Sequence, residues 1–171
     1  MGTRSYIARQ IGPDTYRTVF CQLEGHLESQ GATLVKHYNS PEQVDKLLDL
    51  GDLYLLYPKL EPDESVPHNH SYRQEYVTVA FQRDCNCSNM DAKIMTLDEL
   101  VESGLMIEYT YIFTKDNEWK YFQGGYLEEG LRDVKEDLKA LEQGIDVIKP
   151  PPMEAIFYAP QDQEEMRMGG M

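Results

Sequence analysis

Three groups of side chains have the types and the closeness in sequence that chemistry requires. The first is a thiol with two imidazoles, Cys21, His26 and His37, inside the stretch YRTVFCQLEGHLESQGATLVKHY, residues 16–38. A cysteine becomes a nucleophile when an imidazole within hydrogen-bond reach takes its proton and the surroundings favour the thiolate. Cys21, however, sits in an alternating run: Val19, Cys21 and Leu23 share one face, Tyr16, Thr18 and Phe20 the other. Apolar flanks raise a thiol pKa, so the pattern predicts a core cysteine. His26 follows a turn and His37 falls near a helix end, where the dipole favours a cation.

The second group is His68-Asn69-His70 with Cys85-Asn86-Cys87. Zinc takes four such ligands in a tetrahedron, but its usual knuckle has two residues between cysteines and here there is one. RQEYVTVAFQR, residues 73–83, reads as a strand with both faces partly covered, Tyr76, Thr78 and Ala80 alternating with Val77, Val79 and Phe81. A fully extended segment would hold the two loops some 40 Å apart at ~3.3 Å per residue. No metal and no cofactor is therefore expected, with His68, His70, Cys85 and Cys87 as the only candidate ligands.

The third group is carboxylates. The chain carries 30 Asp and Glu against 16 Lys and Arg, a formal charge of −14. Residues 1–60 hold seven acids and six bases, residues 61–171 twenty-three and ten, so the imbalance belongs to the later part. A field of that sign repels nucleic acid and attracts basic surfaces, which argues against direct DNA or RNA binding. The candidate partner-binding set is Asp98, Glu99, Glu102, Glu128, Glu129, Asp133, Glu136 and Asp137. Solubility alone explains many acidic proteins, but charge this concentrated repels itself without helping the fold. There is no Gly-rich phosphate cradle, nucleophile elbow or HExxH, and no catalytic residue is assigned.

These groups need a frame. A chain of 171 residues, 41% hydrophobic and 11% aromatic, suits one folded domain, taken as 1–149, followed by a proline-containing tail over 150–171 that is expected to be partly mobile. SYIARQI and TYRTVFCQL flank Gly12-Pro13-Asp14 as a hairpin. Leu27, Gly31, Leu34, Val35 and Tyr38 follow helical spacing. Ser40-Pro41-Glu42-Gln43 and Thr96-Leu97-Asp98-Glu99 are capping boxes opening two more helices, and DLYLLYPKL is a short strand. MIEYTYIFTKDNEWKYFQ is an aromatic hairpin, and 126–143 reads as the longest helix, with Leu127, Leu131, Val134, Leu138 and Leu141 in one stripe. The sum is an α+β domain with an antiparallel sheet of about five or six strands and helices on one face. Three cysteines and the lack of a long apolar run point to a soluble, reduced, cytoplasmic protein.

Several of these segments together resemble a family of small, acidic, largely uncharacterised proteins of bacteriophages and prophages. Thr3-Arg4-Ser5-Tyr6-Ile7 is similar to its opening Thr-Arg-Ser-x-Ile strand, and Phe20-Cys21-Gln22-Leu23-Glu24-Gly25-His26 to its Tyr-Cys-His-x-Asp-Gly-Tyr strand end, with Gln22 and Glu24 where the family has His and Asp. Gly31–Tyr38, Leu50-Gly51-Asp52-Leu53, Glu75–Asp84 and Glu108–Phe113 resemble its later segments. The resemblance implies an α+β fold and a phage setting in the host cytoplasm. By analogy with small acidic phage proteins it also implies an inhibitor of a nucleic-acid-handling host defence protein, of the anti-CRISPR or anti-restriction kind, acting as a DNA mimic through protein–protein interaction. The competing expectations are a metal- or nucleotide-dependent enzyme and a homo-oligomeric phage structural or accessory protein, a homodimer for instance.

Overall fold

The N-terminal hairpin is the centre of the molecule. In the computed structural model, which describes residues 2–147, strand β1 (Ser5–Gly12) turns through Pro13 and Asp14 into β2 (Thr15–Cys21), antiparallel from Ser5 opposite Cys21 to Gly12 opposite Thr15. The tail expected over 150–171 lies outside the described residues.

The outer edge of β2 is shared by two strands. β5 (Lys93–Met95) runs antiparallel along Tyr16–Thr18, and β3 (Leu53–Leu55) joins in parallel at Cys21. Between them the Phe20 N–H has no strand to meet, and it donates to Asp52 Oδ1 at 2.9 Å. A side-chain carboxylate thus satisfies a backbone donor that a buried sheet cannot leave unpaired. Strand β4 (Val79–Ala80) closes that end on β3.

On the other side of β1, strand β6 (Tyr109–Phe113) pairs in parallel, from Ser5 opposite Tyr109 to Arg9 opposite Phe113. β7 (Trp119–Gln123) pairs antiparallel with β6, and β8 (Arg132–Asp133) with β7. The sheet therefore has eight strands in the order β4-β3-β2-β1-β6-β7-β8, with β5 also on β2. The α+β class is as read from the sequence. The antiparallel sheet of five or six strands is corrected to a mixed one of eight. Hairpin signals report only antiparallel strands joined by a short turn, and neither parallel pair is connected that way.

One sheet face presents Ile7, Val19, Cys21, Tyr111, Phe113, Trp119 and Tyr121. Three helices cover it: α1 (Ala32–His37), entered through a π-helical turn at Leu27–Gly31; α2 (Pro41–Asp49); and α5 (Val134–Glu142). Ser40 caps α2 by accepting from the Gln43 N–H, with Pro41 in the first turn, where its missing N–H costs nothing. A Cβ on Gly31 would come within 2.9 Å of Leu27 Cδ1 and 3.3 Å of Val134 Cγ1, so a larger residue there would push α5 off the sheet. The opposite face, Ala8, Tyr16, Ile112 and Phe122, is covered by α4 (Leu97–Glu102) through Leu97, Leu100 and Val101. Helices thus lie on both faces rather than one.

Two elements differ from the sequence reading. The strand expected over 73–83 is only Val79–Ala80; Tyr76 takes a left-handed φ of 62°, and the chain coils into the one-turn α3 (Phe81–Asp84), whose Asp84 Oδ2 accepts from the Ala80 N–H at 2.8 Å. The helix expected over 126–143 begins at Val134, because Gly130 at φ 77° breaks the run and Arg132 and Asp133 are drawn into β8. Asp133 then caps the shortened helix, accepting from the Glu136 N–H at 2.9 Å.

Candidate functional site

Cys21 is fully buried at the end of β2. Burial pushes its thiol up to about 12, against weaker opposing bonds to the backbone of Leu23 and Leu56 and to Ser5. No imidazole is among the groups that act on it. His26 lies at the start of the π-helical turn and His37 is exposed in the last turn of α1. A thiol held protonated in an apolar interior is a packing group, as the alternation in β2 indicates.

The two His/Cys loops do meet, contrary to the 40 Å expected of an extended strand. With only two residues in β4 and a helical turn after it, the chain doubles back. The His68 side chain is buried, its Nε2 2.9 Å from the Thr78 carbonyl and 3.5 Å from Asp84 Oδ2, and its Nδ1 accepts from the Gln74 N–H at 3.0 Å. His70 packs edge-on to Tyr54 with ring centroids 4.4 Å apart. Cys85 reaches the backbone of His70, and burial raises its thiol, while Cys87 Sγ lies 3.7 Å from the Cys85 carbonyl. Each group is spent on a neighbouring protein group. Among the described residues no three His, Cys, Asp or Glu side chains are disposed to hold a metal ion.

The acidic set divides. Asp98 and Glu102 are exposed on α4, and Glu99 closes the capping box by accepting from the Thr96 N–H at 3.0 Å. Asp14, from the β1–β2 turn, accepts from the Leu97 N–H at 2.9 Å and adds a third carboxylate, beside Asp98 and Glu99, to that helix start. Glu128 and Glu129 are exposed in the loop after β7. That loop abuts the end of α4, where a Cβ on Gly104 would collide with the backbone of Gly124 and Gly125, and its Leu127 packs into the α4 cluster.

Asp133, capping α5, and Glu136 and Asp137 within it lie with the helix on the opposite sheet face, so the set does not form one stripe along 98–142. Asp137 is corrected from a partner-binding carboxylate to an internal one: it is buried, accepts from Tyr121 Oη at 2.7 Å, and takes Arg132 Nε at 2.7 Å and Nη2 at 3.1 Å. Asp133 pairs with Lys120 Nζ at 2.9 Å. Burial alone would raise its carboxyl, but the Lys120 and Glu136 bonds outweigh this and hold it below its ordinary value. Only Glu136 of the three remains exposed.

Sequence reasoning passed over one pocket. Where β3 and β5 diverge from β2, a space of about 200 Å³ is lined by Tyr6, Thr18, Phe20, Asp52, Lys93 and Met95. Burial raises the Asp52 carboxyl despite the Phe20 N–H bond and the nearby Lys93. The Gly51-Asp52 pair is visible in the sequence, but nothing in its spacing says that the sheet divides there. Comparison with family models, with curated proteins and with solved structures finds no match, so the geometry stands without a relative to interpret it.

Proposed function

We propose that this protein is a binding protein whose α4 face engages a basic, nucleic-acid-handling partner, its carboxylates lying where the phosphates of a polynucleotide would. One observation supports this above the others. No Lys or Arg occurs in residues 94–114 or 121–131, and the fold brings these two cation-free segments together at Gly104, Gly124 and Gly125. Asp98, Glu99, Glu102 and Glu128, with Asp14 beside them, therefore meet a partner without local neutralisation; only Glu129 has a described cation near, Arg132 at 4.0 Å. The acids near the α4 start also favour the helix dipole, which accounts for Asp98 and Glu99 but not for Glu102 or Glu128. In the phage setting that the sequence resembles, the partner is a host defence protein in the host cytoplasm and the outcome is inhibition by occlusion.

The test is capture from a bacterial host lysate on the immobilised full chain. Elution should track ionic strength, as exposed charge pairs weaken when the screening length falls to about 8 Å at physiological salt. Duplex DNA should compete, and the combined Asp98→Lys, Glu102→Lys, Glu128→Lys variant should lose the partner while keeping its unfolding midpoint. A partner retained at high salt, indifferent to DNA and to the charge reversals, would sink the proposal.

A further inference from the structure

A groove runs between α1 and α5. Its larger part, about 520 Å³, has Ala32, Val35, Leu138 and Leu141 as its floor, with Lys36, Lys135 and Lys139 along the rim beside Glu28 and Glu142. Past Val35, Lys36 and Lys135 it continues into a second space of about 400 Å³ that ends on Trp119. Lys135 and Lys139 stand one turn apart on α5, and among the described residues none of the three lysines has a carboxylate within ion-pair distance. An apolar floor beside such cations suits an occupant that brings both apolar side chains and carboxylates.

The chain itself carries such a segment just beyond this site. α5 ends in a Schellman motif: Gly144, at φ 74°, donates to the Leu141 carbonyl at 3.1 Å, and Ile145 donates to that of Ala140 at 2.9 Å. That turn takes the chain off the helix axis at the Leu141 end of the groove and leaves Ile145 exposed. The sequence that follows holds Met153, Ile156, Phe157 and Tyr158, then Asp162, Glu164 and Glu165. Residues 146–152 can span about 23 Å at ~3.3 Å each, against about 13 Å for the length of α5.

We propose that residues 153–165 of the same chain occupy the α1/α5 groove, the apolar side chains over Val35, Leu138 and Leu141 and the carboxylates facing Lys36, Lys135 and Lys139. Tethering favours this occupant over a separate acidic one. A free acidic peptide or a second copy must approach against a net charge of −14, whereas a linked segment is already present at roughly millimolar effective concentration.

The experiment is zero-length carbodiimide cross-linking of the full chain, with peptide mapping by mass spectrometry, on an equal mixture of ¹⁴N- and ¹⁵N-labelled protein. The expected result is amide links from Lys36, Lys135 or Lys139 to Glu154, Asp162, Glu164 or Glu165 within one isotope species. Their yield should fall about tenfold in an Ile156→Ser, Phe157→Ser variant, which keeps every lysine and carboxylate but loses two apolar anchors. Absence of these links overturns the proposal, as does a yield indifferent to the two substitutions. Links found between isotope species would assign the groove to a second copy and overturn it equally.

Discussion

Asp137→Ala separates an internal strut from a partner-binding carboxylate. The side chain accepts from Tyr121 Oη and takes two bonds from Arg132, joining α5 to β7 and β8. Removing one member of a buried ion pair costs roughly 3–5 kcal/mol, because the remaining charge is stranded. Arg132 keeps 27% of its side-chain exposure, so water recovers part of its solvation and the lower end applies. The Tyr121 hydroxyl, on a residue only 1% exposed, loses its acceptor at a further cost of about 1 kcal/mol or more. Because both losses arise from the one carboxylate they overlap rather than add, and the total is taken as about 3 kcal/mol. At ~2–4 °C per kcal/mol for a chain of this size, the unfolding midpoint should drop by about 6–12 °C. Tyr121→Phe should cost only about 1 kcal/mol, since it removes donor and leaves an acceptor that Arg132 still satisfies. In a double-mutant cycle Tyr121→Phe should add little on top of Asp137→Ala. Thermal and urea unfolding by circular dichroism, with Trp119 fluorescence as a second probe, gives both numbers. An Asp137→Ala variant that unfolds within a degree or so of the parent, or one fully stable yet unable to hold the partner, would refute the assignment.

Three further outcomes follow from buried groups. Asp52 has its carboxyl raised by burial, so the stability it contributes is fully present below the ordinary carboxylate pKa and is lost as pH rises through the raised value. Asp52→Asn keeps an acceptor for the Phe20 N–H and should flatten that dependence, leaving neutral-pH stability equal or higher; urea midpoints across the acid range that stay parallel to the parent's would count against it. Cys21, pushed up to about 12 by burial, should resist thiol reagents at pH 8 until the chain unfolds, whereas Cys85 and Cys87, both only partly buried, should label first; equal rates would contradict the core placement. His68→Ala removes the links to Thr78 and Gln74 and should cost about 1–3 kcal/mol, with faster chymotryptic cleavage at the exposed Tyr72 and Tyr76; unchanged cleavage would show the loop is held by other means.

What the sequence reveals here is chiefly local. The Ser40 and Thr96 caps, the Gly12-Pro13-Asp14 turn and the 107–123 aromatic hairpin each depend on residues within a few positions, and each is found where the pattern puts it. The failures are of two kinds. Period and propensity were overridden by tertiary bonds at Arg132 and Asp133, where pairing with β7 outcompetes a helical turn. Pairings between distant segments leave no local trace, so the parallel β1–β6 ladder, the division of β2 between β3 and β5, and the meeting of the His68 and Cys85 loops could not be read. The same gap explains the acids. A count locates an excess of charge in the later chain, but whether Asp137 faces a partner or Arg132 depends on where β8 ends.

The parallel ladder at the middle of the sheet sets the order in which the chain can finish folding. Ser5 must wait for Tyr109, and Arg9 for Phe113, before the inner edge of β1 acquires its partner. On a ribosome that edge emerges long before β6, so throughout synthesis of the intervening chain it is an open template to which a strand from another nascent molecule could add. Maturation should accordingly be slow for a domain of this length and sensitive to expression rate, with intermolecular strand exchange as the characteristic failure.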